Sequence, residues 1–243
     1  MRVFEENLNE NTKEIWLNEE NVRHVVRVMR HEAGDKLTVC DGNGKDYMCV
    51  IRETTKDSVL CDVTEVVPCD SEMKSKVTVF AGLGKGDKPE MIIQKCVELG
   101  AHNIVFFTSD NCVIKLGKGD NEKKTARYNK IARDAGKQSG RGVLPIVEPI
   151  VTFKEAVAMA KNYDLPLFLY ECEDRFTLKN NLMNAEKHDT IAIITGPEGG
   201  FSLKEVELCE NEGMVFTTLG KRILRCETAP IAALAAISAI LEE

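Results

Sequence analysis

The sequence predicts a two-part protein of the α/β class, a small β-rich module over residues 1–72 followed by a strand-and-helix layer structure over residues 73–243. Three observations carry this prediction. Short apolar strand patterns separated by turn residues dominate the first part. From about Lys76 the rhythm changes to strand, loop and helix in repetition, the order that builds a mostly parallel sheet covered by helices. Polar residues interrupt both patterns between Pro68 and Lys76, and the boundary is placed there.

In the first part a helix comes first. Asn18 or Asn21 can cap it, Val22, Val25, Val26 and Met29 recur at helical spacing, and Arg23, Arg27 and Arg30 take the other face. Lys36 to Asp41 reads as a strand, Gly42-Asn43-Gly44 as a turn, Tyr47 to Arg52 as the returning strand and Ser58 to Val67 as a third. The result is a barrel-like module with one basic helix. In the second part Val77 to Ala81 is a strand, and Asp87 caps a helix with Pro89 in its first turn. Ile92, Ile93, Cys96 and Val97 point that helix inward and Gly100 stops it. Ile104 to Phe107 is the next strand, and helices come after it from about Asn121 to Gln138 and from Phe153 to Asn162. Leu165 to Tyr170, Thr190 to Thr195 and Met214 to Leu219 complete the strands, and an apolar helix with Thr228 as candidate N-cap closes the chain.

Composition excludes several classes. At 243 residues, 43% apolar and 29% charged, the chain has a globular profile, neither disordered nor collagen-like. The apolar run Ala229 to Leu241 is thirteen residues long, short of the ~20 that span a bilayer. Glu5, Glu6 and Glu10 with no apolar core near the start argue against a secretory signal, so a cytoplasmic location without membrane contact is expected. Nine cysteines, an odd number with no C-x-x-C pair, read as reduced thiols, and the four scattered histidines point to no metal site.

The net charge of −7 speaks against a nucleic-acid partner until its distribution is considered. Residues 1–72 carry 9 basic and 16 acidic side chains, whereas residues 73–243 carry 23 of each. Asn21 to His31 holds three arginines and two histidines without an acid, and Val113 to Gly142 holds nine lysines and arginines against three acids. Lys123, Arg127, Lys130 and Lys137 line one face of the long helix, with Tyr128, Ile131, Ala132 and Ala135 toward the core. Such a stripe is either a solvated face or, with Arg23, Arg27 and Arg30, a track for phosphates.

The strongest local signal is Thr195-Gly196-Pro197-Glu198-Gly199-Gly200-Phe201, between an apolar strand and a helix opened by the capping pair Ser202 and Glu205. Three glycines at the carboxyl end of a strand let a ligand approach the backbone where open α/β sheets bind ligands; a tight turn is the plainer alternative. A second loop, Gly220 to Thr228, repeats the logic after the last strand, and the two would wall one pocket. Lys221, Arg222, Arg225 and Glu227 put charge at its rim, although Arg225 and Glu227 could equally pair with each other. Gly82-Leu83-Gly84-Lys85-Gly86 lacks both nucleotide-loop signatures and reads as a flexible loop. No G-x-S-x-G is present, and hydrolase chemistry has no support.

On Gly196 to Phe201 and Leu219 to Ala229 together, the chain resembles the 16S rRNA (uracil-N3)-methyltransferases of the SPOUT superfamily. The resemblance continues through Lys95 to Gly100, Gln138 to Arg141, His24 to Arg30 and Gly34-Asp35, in order along nearly the whole chain. It implies a PUA-like RNA-binding β-barrel over 1–72 and a SPOUT α/β-knot (trefoil) methyltransferase domain over 73–243. It further implies a homodimer that binds S-adenosylmethionine in the knot and methylates N3 of a uridine in the decoding region of 16S rRNA, within the small ribosomal subunit. Carried over, Thr195, Gly196, Pro197, Glu198, Gly199, Gly200, Leu219, Gly220, Ile223 and Leu224 would bind the cofactor, with Leu169 and Tyr170 nearby. Uracil N3 must lose its proton before it attacks a methyl group, so a cation is needed near O2 and O4. Arg225 is the candidate cation, and Glu198 or Glu227 the proton acceptor. Arg23, Arg27, Arg30, Lys123, Arg127, Lys130 and Arg141 would hold RNA. Lys137 and Asn111-Cys112 depart from the family pattern. Two alternatives stay open: a related SPOUT enzyme acting on a ribose hydroxyl, and a non-catalytic RNA-binding module.

Overall fold

The structure is a computed structural model that describes residues 2–114, 116–117 and 119–242. Lys115 and Lys118, which belong to the basic stretch Val113 to Gly142, lie outside the described residues. The chain divides into two units, Met1–Glu72 with Gly136–Leu144, and Met73–Ala135 with Pro145–Glu243.

The first unit is built on a mixed five-stranded sheet in the order β1 (Arg2–Phe4), β3 (Lys36–Cys40), β4 (Lys45–Thr54), β5 (Val59–Pro68) and β2 (Glu14–Trp16). β1 runs parallel to β3 and the remaining pairs are antiparallel. Strands β1 and β2 are too short to show a period in the sequence. Alternation on β3 to β5 drives Leu37, Val39, Tyr47, Cys49, Ile51, Val59 and Cys61 into one core with Val22 and Val25. The turn at Gly42-Asn43-Gly44 is held by Asp41, whose Oδ1 accepts the N–H groups of Asn43 and Lys45 at 2.7 and 3.0 Å. The returning segment closes on this turn, with Gly44 N–H donating to Gly142 and Leu144 N–H to Gly42.

The basic helix differs from the expected regular α-helix. Asn18 is its N-cap, accepting the Asn21 N–H at 3.0 Å. After one regular turn, α1 (Glu19–Arg23), the chain widens into a π-helical turn over His24–Val28, with Met29 N–H donating to His24 at 3.0 Å. The wider winding rotates the residues C-terminal to it. Val22 and Val25 stay buried, but Met29, expected inward, is 47% exposed, and Arg30 lies beyond the helix at φ 58°.

The second unit is a parallel sheet in the order β12 (Val215–Thr217), β10 (Leu165–Leu169), β11 (Thr190–Thr195), β6 (Lys76–Gly82), β7 (Asn103–Thr108) and β8 (Ile146–Val147), with β9 (Val151–Thr152) also on β7. Residues alternate between two apolar layers. One face carries Val77, Val79, Ile104, Leu167, Ile191 and Ile193 against α2 (Lys88–Glu98), α3 (Asp120–Ser139), α5 (Leu178–Asn184) and α7 (Thr228–Leu241). The other carries Phe80, Val105, Phe107, Phe168 and Ile194 against α4 (Phe153–Ala160) and α6 (Leu203–Asn211). Helix α7 is apolar nearly all round because Ala233, Leu234 and Ile237 are completely buried. Its N-cap is Glu227 rather than Thr228, which is already its first residue. The Arg225 carbonyl accepts the N–H groups of Thr228 and Ala229 at 2.9 and 3.0 Å, so the loop backbone itself starts the helix. Among the described residues no helix is long and apolar enough to cross a membrane.

Candidate active site

The carboxyl ends of β10, β11 and β12 open into a cleft of about 870 Å3. Leu169 and Tyr170 end one wall; Thr195, Gly196, Pro197, Glu198 and Gly200 form the next. Leu219, Gly220, Ile223, Leu224, Arg225 and Glu227 close the third. Every residue singled out for cofactor binding or catalysis therefore lines one cavity, with the exception of Gly199. That glycine faces away, against Asn111, whose side-chain amide donates to the carbonyls of Gly199 and Gly200 at 3.0 and 3.3 Å. The departure at Asn111 is thus a clamp on the glycine loop. Asp110 reinforces it by accepting from Ser202 Oγ at 2.7 Å and donating its N–H to Glu205 at 3.0 Å.

The Gly82 to Gly86 segment, read from sequence as a flexible loop, packs against the same loop from the other side. A side chain at Gly82 would stand 2.4 Å from the Pro197 nitrogen, so only glycine lets the two strand ends approach this closely. Lys85 N–H donates to Glu198 Oε1 at 3.0 Å. Lys88, at the start of α2, donates its ammonium to the same oxygen at 2.9 Å and lies 3.8 Å from Glu227 Oε2. Sequence reasoning missed Lys88, since nothing local in Asp87-Lys88-Pro89 marks more than a helix start.

These contacts set the charge states. Burial pushes the Glu198 carboxyl up, but the Lys85 N–H and the Lys88 ammonium outweigh it and hold the group below the usual carboxylate value. Glu227 is also held low, by its own backbone N–H, against burial, and with help from the Cys226 thiol and the charges of Lys88 and Arg225. Both carboxylates are therefore ionised at neutral pH. Cys226 Sγ donates to Glu227 at 3.2 Å, and burial pushes this thiol up to about 11, which leaves it protonated. Arg225 is exposed, with no carboxylate within 4 Å among the described residues, so the pairing of Arg225 with Glu227 that the sequence allowed does not form as a contact.

The basic residues separate into groups. Arg23, Arg27 and Arg30 are exposed on the first unit, where Arg23 makes a loose 3.7 Å pair with Glu19. Lys123 and Lys130 are exposed on α3, and Arg127 is paired with Glu90 at 2.5 Å. Lys137 is engaged with Glu20 at 2.8 Å. Arg141 corrects the expectation that it faces RNA. It is 2% exposed, and Glu72 holds its guanidinium at 2.6–3.1 Å while also accepting the N–H groups of Gly142 and Val143. A charge buried this deeply is stable only with its partner and has no surface left for a phosphate.

Residues 71–238 match the RNA methyltransferase domain family, and residues 17–64 match the RNA methyltransferase PUA domain family. The ribosomal RNA small subunit methyltransferase E of Bacillus subtilis is 37% identical over 90% of this chain and 87% of its own length. The chain belongs to the ribosomal RNA small subunit methyltransferase E family. Its Synechocystis member is 31% identical over 94% of this chain and 74% of that protein. The member from Neisseria gonorrhoeae, solved bound to S-adenosyl methionine, superimposes with a TM-score of 0.85 at 29% identity, covering 98% of this chain and 97% of that one. In family terms the first sheet carries the PUA domain, and the cleft lies wholly within the methyltransferase domain.

Proposed function

We propose that this chain uses S-adenosylmethionine to methylate N3 of a uridine in 16S rRNA, with the small ribosomal subunit as substrate and the cytoplasm as its place of action. The observation that carries the reading is the convergence of two glycine loops, two ionised carboxylates and an exposed arginine on one cleft at the strand ends of a family methyltransferase domain. The cofactor fits it on two counts. Its volume suits a nucleoside-sized ligand, and Leu169, Pro197, Ile223 and Leu224 offer apolar walls for an adenine while Glu198 and Glu227 offer negative charge to a cationic sulfonium.

S-adenosylmethionine, when bound, supplies an electrophilic methyl group on a sulfonium sulfur. Arg225 stabilises the negative charge that gathers on uracil O2 and O4 once N3 is deprotonated. Glu227 accepts the N3 proton; Glu198 is the weaker candidate because one of its oxygens is already committed to both Lys85 and Lys88. The loop Gly196 to Gly200 would hold the cofactor at the strand ends and orient its methyl group toward N3. Arg23, Arg27 and Arg30, with Lys123, Arg127 and Lys130, contact RNA phosphates.

Two further features belong to this reading. The chain passes from β12 at the sheet edge, by way of residues 218–227, to α7, which packs on α2, β6 and β11 at the sheet centre. That passage supports a C-terminal trefoil knot over the loop after β10. A homodimer, the second feature, follows from the family resemblance. The deciding experiment incubates the protein with methyl-labelled S-adenosylmethionine and either small subunits or bare 16S rRNA from a strain lacking the enzyme, then identifies the labelled nucleoside by mass spectrometry. Label in N3-methyluridine is the expected result. Label on a ribose would move the assignment to the 2'-O chemistry, and no label with no cofactor binding would leave an RNA-binding module.

A further inference from the structure

Three chain segments that are distant in sequence meet at one ammonium group. Lys88 Nζ lies 2.9 Å from Glu198 in the β11 loop, 3.8 Å from Glu227 in the β12 loop and 3.7 Å from Cys226 Sγ. All three side chains line the cleft. Two carboxylates converging on one point repel each other unless a cation sits between them, and one of them then takes up a proton. Lys88 is that cation, and it arrives on a rigid element: Pro89 starts α2, whose Ile92, Ile93, Cys96 and Val97 are completely buried.

We propose that Lys88 is a positioning residue of the methyl-transfer site, bridging the two cofactor loops through Glu198 and keeping the Glu227 carboxylate directed at the cleft. This rests on the proposed methylation reaction, and it adds Lys88, carried by the segment that packs on the Pro197 and Glu198 loop, to the lining of the site. The charged and titratable groups facing Glu227 are Lys88, the Cys226 thiol and Arg225, with Glu198 across the ammonium. Of these, Lys88 makes the closest ion-pair contact to both carboxylates. Its own proton is secure, because the hydrogen bond to Glu198 raises it above the ordinary lysine value.

The test compares the parent with Lys88→Met, Lys88→Arg and the double variant Lys88→Met, Glu198→Gln. In ligand-free protein labelled with 13C at glutamate side chains, NMR titration tracks the carboxyl carbons of Glu198 and Glu227. Lys88→Met should raise the titration of Glu227 by about one pH unit or more. Arginine should restore it, and Glu198→Gln should relieve it by removing the like charge. With small subunits as substrate, the acidic limb of kcat should move by the same amount in the same direction. Unchanged Glu227 titration in Lys88→Met, or failure of both arginine and the Glu198 change to restore it, overturns the proposal. Failure of the methylation reading is distinguishable, since it would show as no methyl transfer by the parent while the NMR result stood.

Discussion

Replacing Gly82 with alanine tests whether the approach of β6 to the glycine loop builds the cleft. The new methyl carbon would stand 2.4, 2.7 and 2.8 Å from the nitrogen, Cδ and Cα of Pro197. Side-chain carbons do not sit closer than 3.0 Å to such atoms, and ordinary contact begins near 3.4 Å. The loop must therefore retreat by about 1 Å, an overpacking that costs roughly 1–3 kcal/mol and lowers the melting temperature by about 2–12 °C. A displacement of about 1 Å at a site that aligns reacting atoms costs on the order of 10²-fold in rate. Thermal unfolding, calorimetric titration with S-adenosylmethionine and initial rates on small subunits would measure the three consequences. Gly84→Ala supplies a graded comparison, because its methyl would meet the Lys88 Cβ at 3.3 Å and Glu198 at 3.4 Å, and its effects should be smaller. A Gly82→Ala protein with parental stability, affinity and rate would refute the reasoning, as would a Gly84→Ala protein that is the more damaged of the two.

The same geometry sets other expectations. Arg225→Ala should lower kcat by about 10²–10³-fold with the cofactor Kd nearly unchanged, because the side chain is exposed and only its carbonyl starts α7. Equal losses in both quantities would show that it binds cofactor instead. The pair Arg27→Ala and Arg30→Ala should weaken RNA binding more at low salt than at high, measured by filter binding across a salt series; a salt-independent defect contradicts phosphate contact. Glu72→Ala strands the buried Arg141 guanidinium and should cost about 3–5 kcal/mol in denaturant unfolding at neutral pH. Burial raises the Glu72 carboxyl, yet Arg141 and the N–H groups of Val143 and Gly142 leave it below its usual value. The stabilisation it contributes in the parent is therefore complete above the unfolded value near ~4.3 and is lost as pH falls through the lower folded value. Unfolding profiles of the variant should lack that acid step.

Most of the fold and the walls of the cleft could be read from the chain because their signals are local. Strand β11 was legible to the residue over Thr190–Thr195, and the Ser202 and Glu205 pair that opens α6 forms both bonds of its capping box. The Gly196 to Gly200 loop was recognisable because three glycines at a strand end differ in composition from an ordinary turn. Local signals also erred where tertiary packing overrode them. The basic helix has a regular apolar spacing, but its π-helical turn moves Met29 outward and releases Arg30. Arg141 reads as a surface charge in a basic stretch until Glu72, 69 positions away, is seen to bury it.

Composition and periodicity by themselves determined the β module, the parallel layer and the position of both glycine-containing loops at the strand ends. They did so because helix and strand preferences act over neighbours a few residues apart, where every side chain is visible in order. Only the tertiary structure decided that Lys88 reaches the cleft, that Gly136–Leu144 groups with the first unit, and that one lysine serves two glutamates. Lys88 and Glu198 are 110 positions apart, and no local pattern encodes such a contact. It arises because β11 and β6 pair in register, Thr195 beside Ala81, and so deliver their loops to the same end of the sheet.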